Sequence, residues 1–471
     1  MSIQMALNAA LSGLRATQQR AAVVSHNLSN ATTAGFVRKE LLVSAAVTAG
    51  RGEGVRIDGI GRSGDELLIR DARFELSRFT GQETRASGLA DYASVLGQPQ
   101  DERSVATAVA KLQQAFDRLH GMPDDEAAQG AVVDGADALV RRLHDAFAAA
   151  STVEADARAR LAASVDTVNA ALVRVSELNG SIATLQAKGA DAGDLMDERD
   201  RLLDTVSQEI GIRTYTRDNG QVVVMTRNGQ TLLDRELPPG AQPLQLVGTD
   251  LLAGGKVLFG QFPPTNPDQD IQSGRIMGYI QTAFYDMPRA RDQLDGLAAG
   301  LVRRFQDAEA VSTQPGLFTD NQAAYTVTAG LASRIAVNDD VRGETWRVQS
   351  GVQAAAPLAP GDQTQIAAFI DVFKEPGPFG LVTDMPTSGT LGDYATTMVS
   401  TQQGYRTTAE SEMRTRKISA DALQSARINR DGVNMDDEMQ KLLLIEQSYG
   451  ASAQVIQTAG RMIDILLQIR G

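Results

Sequence analysis

Residues 2–31, SIQMALNAALSGLRATQQRAAVVSHNLSNA, decide the fold. Ile3, Leu7, Ala10, Leu14, Thr17, Ala21, Val24, Leu28 and Ala31 step by alternating fours and threes, the spacing of a coiled-coil seam. A helix with one apolar stripe cannot bury that stripe by itself. The far end of the chain answers it. Over residues 435–471, Met439, Leu442, Tyr449, Ala453, Ile456, Ile463 and Leu467 keep the same register, interrupted at Glu446 and Gly460. The two stripes are expected to pair with each other, with neighbouring copies, or with both. A lone helix pair is a small core, so it should order on assembly. The middle of the chain is then an insertion carried by the pair.

A chain of 471 residues exceeds one ordinary core and implies several domains. The 58 acidic and 45 basic residues leave a net charge of -13, which argues against nucleic-acid binding, since phosphate recognition wants a basic face. There is no cysteine, so disulfides, thiol catalysis and thiolate metal sites are excluded. No apolar run is long enough to span a membrane as a helix. No acidic residue precedes Glu40, which loosely resembles a transit peptide, but the heptad register favours a retained structural helix. Asn8, Ser12, Gly13 and Arg15 break any secretory h-region.

Outward from the first helix, Thr32, Thr33, Ala34 and Gly35 form a stop signal. Residues 37–47 are β-prone, and six glycines between Gly50 and Gly64 predict an irregular, turn-rich connector. From Glu66 to Gly211 the pattern is helical, in segments 66–95, 102–120, 125–150 continuing into 152–187, and 194–210. Asn179 is the one polar position in a seam running from Leu161 to Ile182; it either fixes register or faces solvent. At Gly211 the period switches. Segments 212–217, 221–226 and 230–233, split by Asp218-Asn219-Gly220 and Asn228-Gly229, predict a β-meander continuing to Phe262 and closed by Pro263–Pro267. Helix returns from Arg275 to about Val311. Residues 314–392 are mixed, with strand-like pieces at 325–328 and 345–348, and helix resumes from about Leu391 to Arg427. Asn434 reads as the cap of the last helix, with Asp436, Asp437 and Glu438 in its first turn; the spacing does not fit a calcium loop.

The fold class expected is mainly α with a β insertion, an α+β multidomain chain. Residues 1–65 and 425–471 form a terminal coiled-coil inner domain with its connector. Residues 66–211, 270–312 and 391–424 form a helical-bundle middle domain, 212–269 the β-meander, and 313–390 a mixed, small β-rich outer domain.

Candidate chemistry is sparse. His26, His120 and His144 lie in predicted helices without paired metal spacing, and no nucleophile elbow, P-loop or dinucleotide fingerprint occurs. The stretch Leu195–Asp204 reads as an amphipathic helix with i,i+4 pairs such as Asp197–Arg201. A non-enzymatic role without cofactor or metal is expected.

The segments AALSGLRATQ (9–18), SHNLSN (25–30) and TAGFVR (33–38) resemble the shared N-terminal motif of flagellar rod, hook and hook-associated proteins, with His26 and Phe36 as departures. GVNMDDEM (432–439), then Gln447-Ser448-Tyr449 and Ala453, resembles the matching C-terminal motif. Within that superfamily, ERDRLLDTVS (198–207), Asp218–Val222 with Gly229, and GRIMG (274–278) look like the hook-associated protein 1 (FlgK) family. The resemblance spans most of the chain except roughly 315–400, and the chain is short for that family, which points to an outer domain reduced or absent. It implies a structural adapter between hook and filament, extracellular on the bacterial flagellum, exported through the flagellar type III apparatus without a cleaved signal. Implied partners are further copies of the chain, hook protein, hook-associated protein 3 and a FlgN-type chaperone on the C-terminal helix. The implied assembly interface is Leu7, Leu11, Leu14, Val24, Asn27, Leu28, Asn30 and Gly35 with Met439, Leu442, Tyr449, Ile456, Ile463 and Leu467. Hook-associated protein 3, the hook protein and a flagellum-associated cell-wall hydrolase are the alternatives; no nucleophile, base or metal cluster supports the last.

Overall fold

A computed structural model describes residues 3–48, 51–247, 250–253, 256–259, 273–326 and 328–470. In chain order the described elements begin with helix α1 (Ile3–Ser29), strands β1 (Lys39–Thr48) and β2 (Arg51–Arg62), and helices α2 (Glu66–Leu96), α3 (Val105–Gly121), α4 (Glu126–Ala187) and α5 (Gly193–Glu209). Six short strands follow: β3 (Ile212–Thr216), β4 (Val222–Thr226), β5 (Thr231–Leu233), β6 (Leu244–Val247), β7 (Asp250–Ala253) and β8 (Lys256–Phe259). Then come α6 (Arg275–Gln281), a π turn (Thr282–Asp286) and α7 (Met287–Asp307). The remainder is β9 (Phe318–Asp320), β10 (Ile335–Val337), α8 (Asp339–Gly343), α9 (Arg347–Ser350), α10 (Thr364–Lys374), β11 (Gly377–Pro378), β12 (Ser388–Gly389), α11 (Leu391–Asp431) and α12 (Met435–Arg470). The chain is mostly helical with small antiparallel sheets.

Two compact units result: a first of residues 1–80, 164–274 and 415–471, and a second of 81–163 and 275–414. The second unit holds the larger core. Phe305 sits at its centre, with ring centroids 5.2 Å from Phe318, 5.5 Å from Phe369 and from Phe373, and 5.9 Å from Phe116. Leu112, Leu139, Leu143, Leu294 and Leu301 close around these rings with no exposed surface. Ser104 caps α3 by accepting a hydrogen bond from Ala106 N–H, which starts that helix three residues later than the pattern at 102 implied. The π turn has a covalent cause. Pro288 carries no N–H, and Met287 N–H reaches back to Thr282 O, widening the turn before it.

The first unit is stapled by helical asparagines. Asn179 on α4 accepts from Val222 N–H (3.0 Å) and donates to Val222 O (2.8 Å); Asn169 does the same for Leu244 (3.0 and 2.8 Å). Each amide supplies the donor and acceptor that a neighbouring strand would have offered β4 or β6. Asn179 is therefore neither a register key nor a solvent residue, the two roles its seam position allowed. The meander pairs β3-β4-β5 as the turn signals implied, and a second sheet pairs β6-β7-β8. The end of its expected continuation, residues 260–262, and the cluster Pro263–Pro267 lie outside the described residues.

Two expectations need correction. The glycine-rich stretch after residue 50 is β2, a strand paired antiparallel with β1 from Lys39↔Arg62 to Thr48↔Arg51. Glycines read as turn markers sit instead where the ladder shifts register and where the hairpin meets α1. Gly54 has φ +118, and a Cβ there would run into the Ser12 hydroxyl, which accepts from Val55 N–H at 3.1 Å. In the mixed region the described strands are β9 paired with β10 and β11 paired with β12; residues 325, 326 and 328 are not strand, and Arg347–Ser350 is a helical turn. A few alternating residues do not separate strand from a short helix.

Candidate assembly interface

Both chain ends meet in the first unit, where α1 packs against α12 and against the β1–β2 hairpin. Asn27 is the node. Its side chain, 1% exposed, accepts from Lys39 N–H (3.0 Å) and donates to Lys39 O (2.9 Å) and to Glu438 Oε2 (3.0 Å). Glu438, equally buried, receives Lys441 Nζ on its other oxygen at 2.6 Å. One amide thus joins α1, β1 and α12. Asn434 Oδ1 accepts from Asp436 N–H at 2.9 Å, capping α12 and aiming Glu438 inward. Asp431, at the end of α11, accepts Arg38 N–H on its backbone oxygen (2.9 Å) and Asp65 N–H on its carboxylate (3.1 Å), tying both ends of the hairpin to the same place.

The hairpin is anchored below by α5. Its acidic row Asp194, Asp197, Asp200 and Asp204 faces a cation from each surrounding element. Lys39 of β1 contacts Asp194 and lies 3.9 Å from Asp197. Arg62 of β2 bridges Asp197 and Asp200 at 2.7 Å each. Arg73 of α2 reaches Asp200 at 3.4 Å and Asp204 at 2.5 Å, and Arg427 of α11 closes the row on Asp204 at 2.9 Å. Burial pushes the Asp197 carboxyl above its ordinary range against the pull of Arg62 and Lys39. Burial also opposes the charge on Asp200, but Arg73, Arg62 and Arg199 outweigh it and hold that carboxyl low. A hydrogen bond from Lys39 holds Asp194 low. The sequence pattern reads this helix as amphipathic, with an i,i+4 pair Asp197–Arg201. Instead Asp197 is turned inward to Arg62 and Lys39, and Arg201 lies against Gly35, whose φ is +74.

The candidate interface residues fall into three groups. Asn27 and Val24 are buried, while Leu7, Leu14, Leu28, Leu442 and Ile456 are half-buried. Asn30, also half-buried, donates to His26 O at 3.0 Å, and with Gly35 it turns the chain out of α1. Leu11, Met439, Tyr449 and Ile463 are exposed. The side chain of Leu467 lies outside the described residues. On α12 the residues turned toward cover are Glu438, Lys441, Leu442, Ile445, Ser452, Ala453, Ile456, Ala459 and Gly460; Leu442, Ala453 and Ile456 belong to the heptad stripe, and Glu438 is drawn in by Asn27. The opposite flank of α12 leaves Met439, Leu443, Leu444, Val455, Met462 and Ile465 between 47% and 62% exposed. Between α1 and α12, Thr17, Ala21, Leu442, Ile445 and Tyr449 line an open cleft of about 420 Å³. Among the described residues no metal-holding cluster occurs, and no helix is long and apolar enough to cross a membrane.

Comparison with known proteins agrees along the chain. Residues 90–315 match the family described as flagellar hook-associated protein FlgK helical domain. Residues 7–36 match the flagella basal body rod protein family, and 424–469 the flagellar basal body rod FlgEFG protein C-terminal family. Flagellar hook-associated protein 1 of Salmonella typhimurium is 22% identical over 562 aligned positions, covering 98% of this chain and 99% of that protein. Its counterpart in Bacillus subtilis is 21% identical over 513 positions, covering 99% and 98%. Both alignments are longer than this chain of 471 residues, so both relatives carry segments it lacks. A solved structure of the flagellar hook junction protein FlgK from Burkholderia pseudomallei aligns over 53% of this chain and 46% of that one, at 20% identity and a TM-score of 0.45. With a helical-domain match in the middle, axial-protein matches at both ends and relatives aligned from end to end, the chain is similar over nearly its whole length to flagellar hook-associated protein 1.

Proposed function

We propose that this chain is a structural junction protein of the bacterial flagellum, linking hook to filament, with assembly rather than catalysis as its function. The observation that carries this is the uncovered flank of α12: six large apolar side chains on one helix, in a chain whose relatives are hook-associated proteins. Burying a side chain of this size gains about 1.5–3 kcal/mol, so six yield roughly 10 kcal/mol before the cost of association. Neighbouring copies are the occupants this reading assigns, through Leu7, Leu11, Leu14, Tyr449, Ile463 and Leu467 as well as the buried positions. Contacts that do not close on themselves give a tubular lattice. Within it, residues 1–65 and 425–471 form the coiled-coil inner layer; 66–211, 270–312 and 391–424 form the middle, with 212–269 and 313–390 outward. Hook protein and hook-associated protein 3 flank the layer. Export is through the type III apparatus, with a FlgN-type chaperone covering α12 beforehand.

The test is addition of the purified chain to hook-basal bodies stripped of filament. Decoration of the distal hook end in electron micrographs is expected, and a chain lacking 1–31 and 435–471 should not decorate. Decoration by the doubly trimmed chain refutes the proposal.

A further inference from the structure

In the first unit, Phe74 on α2 holds two guanidinium groups: Arg227 at 3.7 Å and Arg78 at 5.3 Å from its centroid. Around them gather Arg213 on the edge strand β3 and, from α11, Arg416 and Lys417. The carboxylate available to this cluster is Glu75, which takes Arg78 at 2.9 Å and Arg416 at 3.9 Å. Lys417 also lies 3.6 Å from the exposed Asp421. Burial depresses the Arg227 pKa, and the like charges of Arg213 and Arg78 depress it further. The aromatic face holds the guanidinium groups of Arg227 and Arg78 in place while like charge crowds Arg227. They form a basic island in an acidic chain.

The excess of acid lies elsewhere. The second unit contains 19 Lys and Arg against 29 Asp and Glu, a net of -10, whereas the first contains 26 against 29, a net of -3. In the second unit Glu126 and Asp134 stand exposed on one helix, α4, and Asp124 is exposed just ahead of its start. We propose that the Arg78–Arg213–Arg227 island of one copy receives the acidic surface of the second unit of another copy. A nucleic acid is a poorer fit, because the island is small and sits in a chain that repels phosphate overall. Complementary charge of this kind sets which partner docks and in what register more than how tightly it holds. The inference rests on the assembly reading above and adds a second contact to it, away from the terminal helices.

The test uses the full chain at high concentration and low salt, as a mixture of isotope-labelled and unlabelled copies, treated with a carbodiimide. Inter-copy links from Lys417 to carboxylates within 81–163 or 275–414 are expected. Raising the salt should reduce them about tenfold, as should the double variant R213E/R227E, while R213K/R227K keeps them. Circular dichroism confirms that each variant is folded. Links from Lys417 only to Asp421 of its own chain, or links untouched by R213E/R227E, overturn the proposal. Hook-end decoration separates the two ideas: decoration without these links sinks this contact alone, and links without decoration sink the junction reading alone.

Discussion

Replacing Asn27 by alanine should detach the start of the chain from its end. The side chain makes three hydrogen bonds, and its loss leaves Lys39 N–H, Lys39 O and Glu438 Oε2 without that partner in a buried place. A typical hydrogen bond contributes about 1 kcal/mol net, and a buried group left unsatisfied costs about 1–3 kcal/mol. Allowing for water entering the gap, the local loss is about 3 kcal/mol, or roughly 100-fold in an opening equilibrium. Hydrogen exchange reads this directly, since the Lys39 amide is bound to the Asn27 side chain. Exchange should accelerate by about that factor at Lys39 and also in the first turns of α12, where no atom has been removed. Asn27→Asp is the sharper variant. It keeps an acceptor for Lys39 N–H but places a carboxylate against Glu438, so it should destabilise more than alanine does. Unchanged exchange around Glu438 in N27A, or an Asp variant as stable as the parent, refutes the reasoning.

The acidic row of α5 should respond unevenly. Asp200→Asn removes the carboxylate shared by Arg62 and Arg73 and costs about 3 kcal/mol, while Asp197→Asn, at a carboxyl already pushed toward its neutral form, costs under half that; urea midpoints at neutral pH compare them. Because the folded Asp200 pKa lies below its unfolded value of about 3.9, its stabilisation is complete above that pH and lost as the pH falls through the folded value. The acid limb of stability should therefore flatten in D200N, and a limb parallel to the parent's contradicts this. Leu14→Asp and Ile463→Asp put charge on the terminal helices and should abolish hook decoration while leaving the circular dichroism of the rest intact; junctions formed by both variants refute it. Gly54→Val should lift the hairpin from α1 at a cost of about 2 kcal/mol, seen as faster exchange of the Val55 amide held by Ser12.

What the sequence disclosed follows from how local each signal is. Helix periodicity is carried by every turn, so α1, α2, α4 and α12 are legible almost to their ends, as is the meander with its Asn-Gly turn, while the run from Arg275 reads as one helix and hides the π turn that divides α6 from α7. The hairpin partner β2 was not, because a strand rich in glycine lacks the alternation that marks strands, and its pairing depends on β1 and on Ser12. Of the interface residues, the apolar ones announce themselves by spacing. The polar node does not: Asn27, Asn169 and Asn179 look like ordinary helical asparagines until the strands they clamp are in place. The α5 row failed for the same reason. Four aspartates at threes and fours invite pairing within the helix, as with Arg201, unless Arg62, Arg73 and Arg427, far off in the chain, are seen to converge on them.

Asn27 and Glu438 are separated by 411 positions, so the clasp between them cannot shut until nearly all of the polypeptide has been delivered. Whatever leaves the ribosome first stays unfastened while the remainder is still being made. Premature closure is thereby ruled out by connectivity alone. A chain that has lost its tail has no Glu438 to offer Asn27, and its collar stays open.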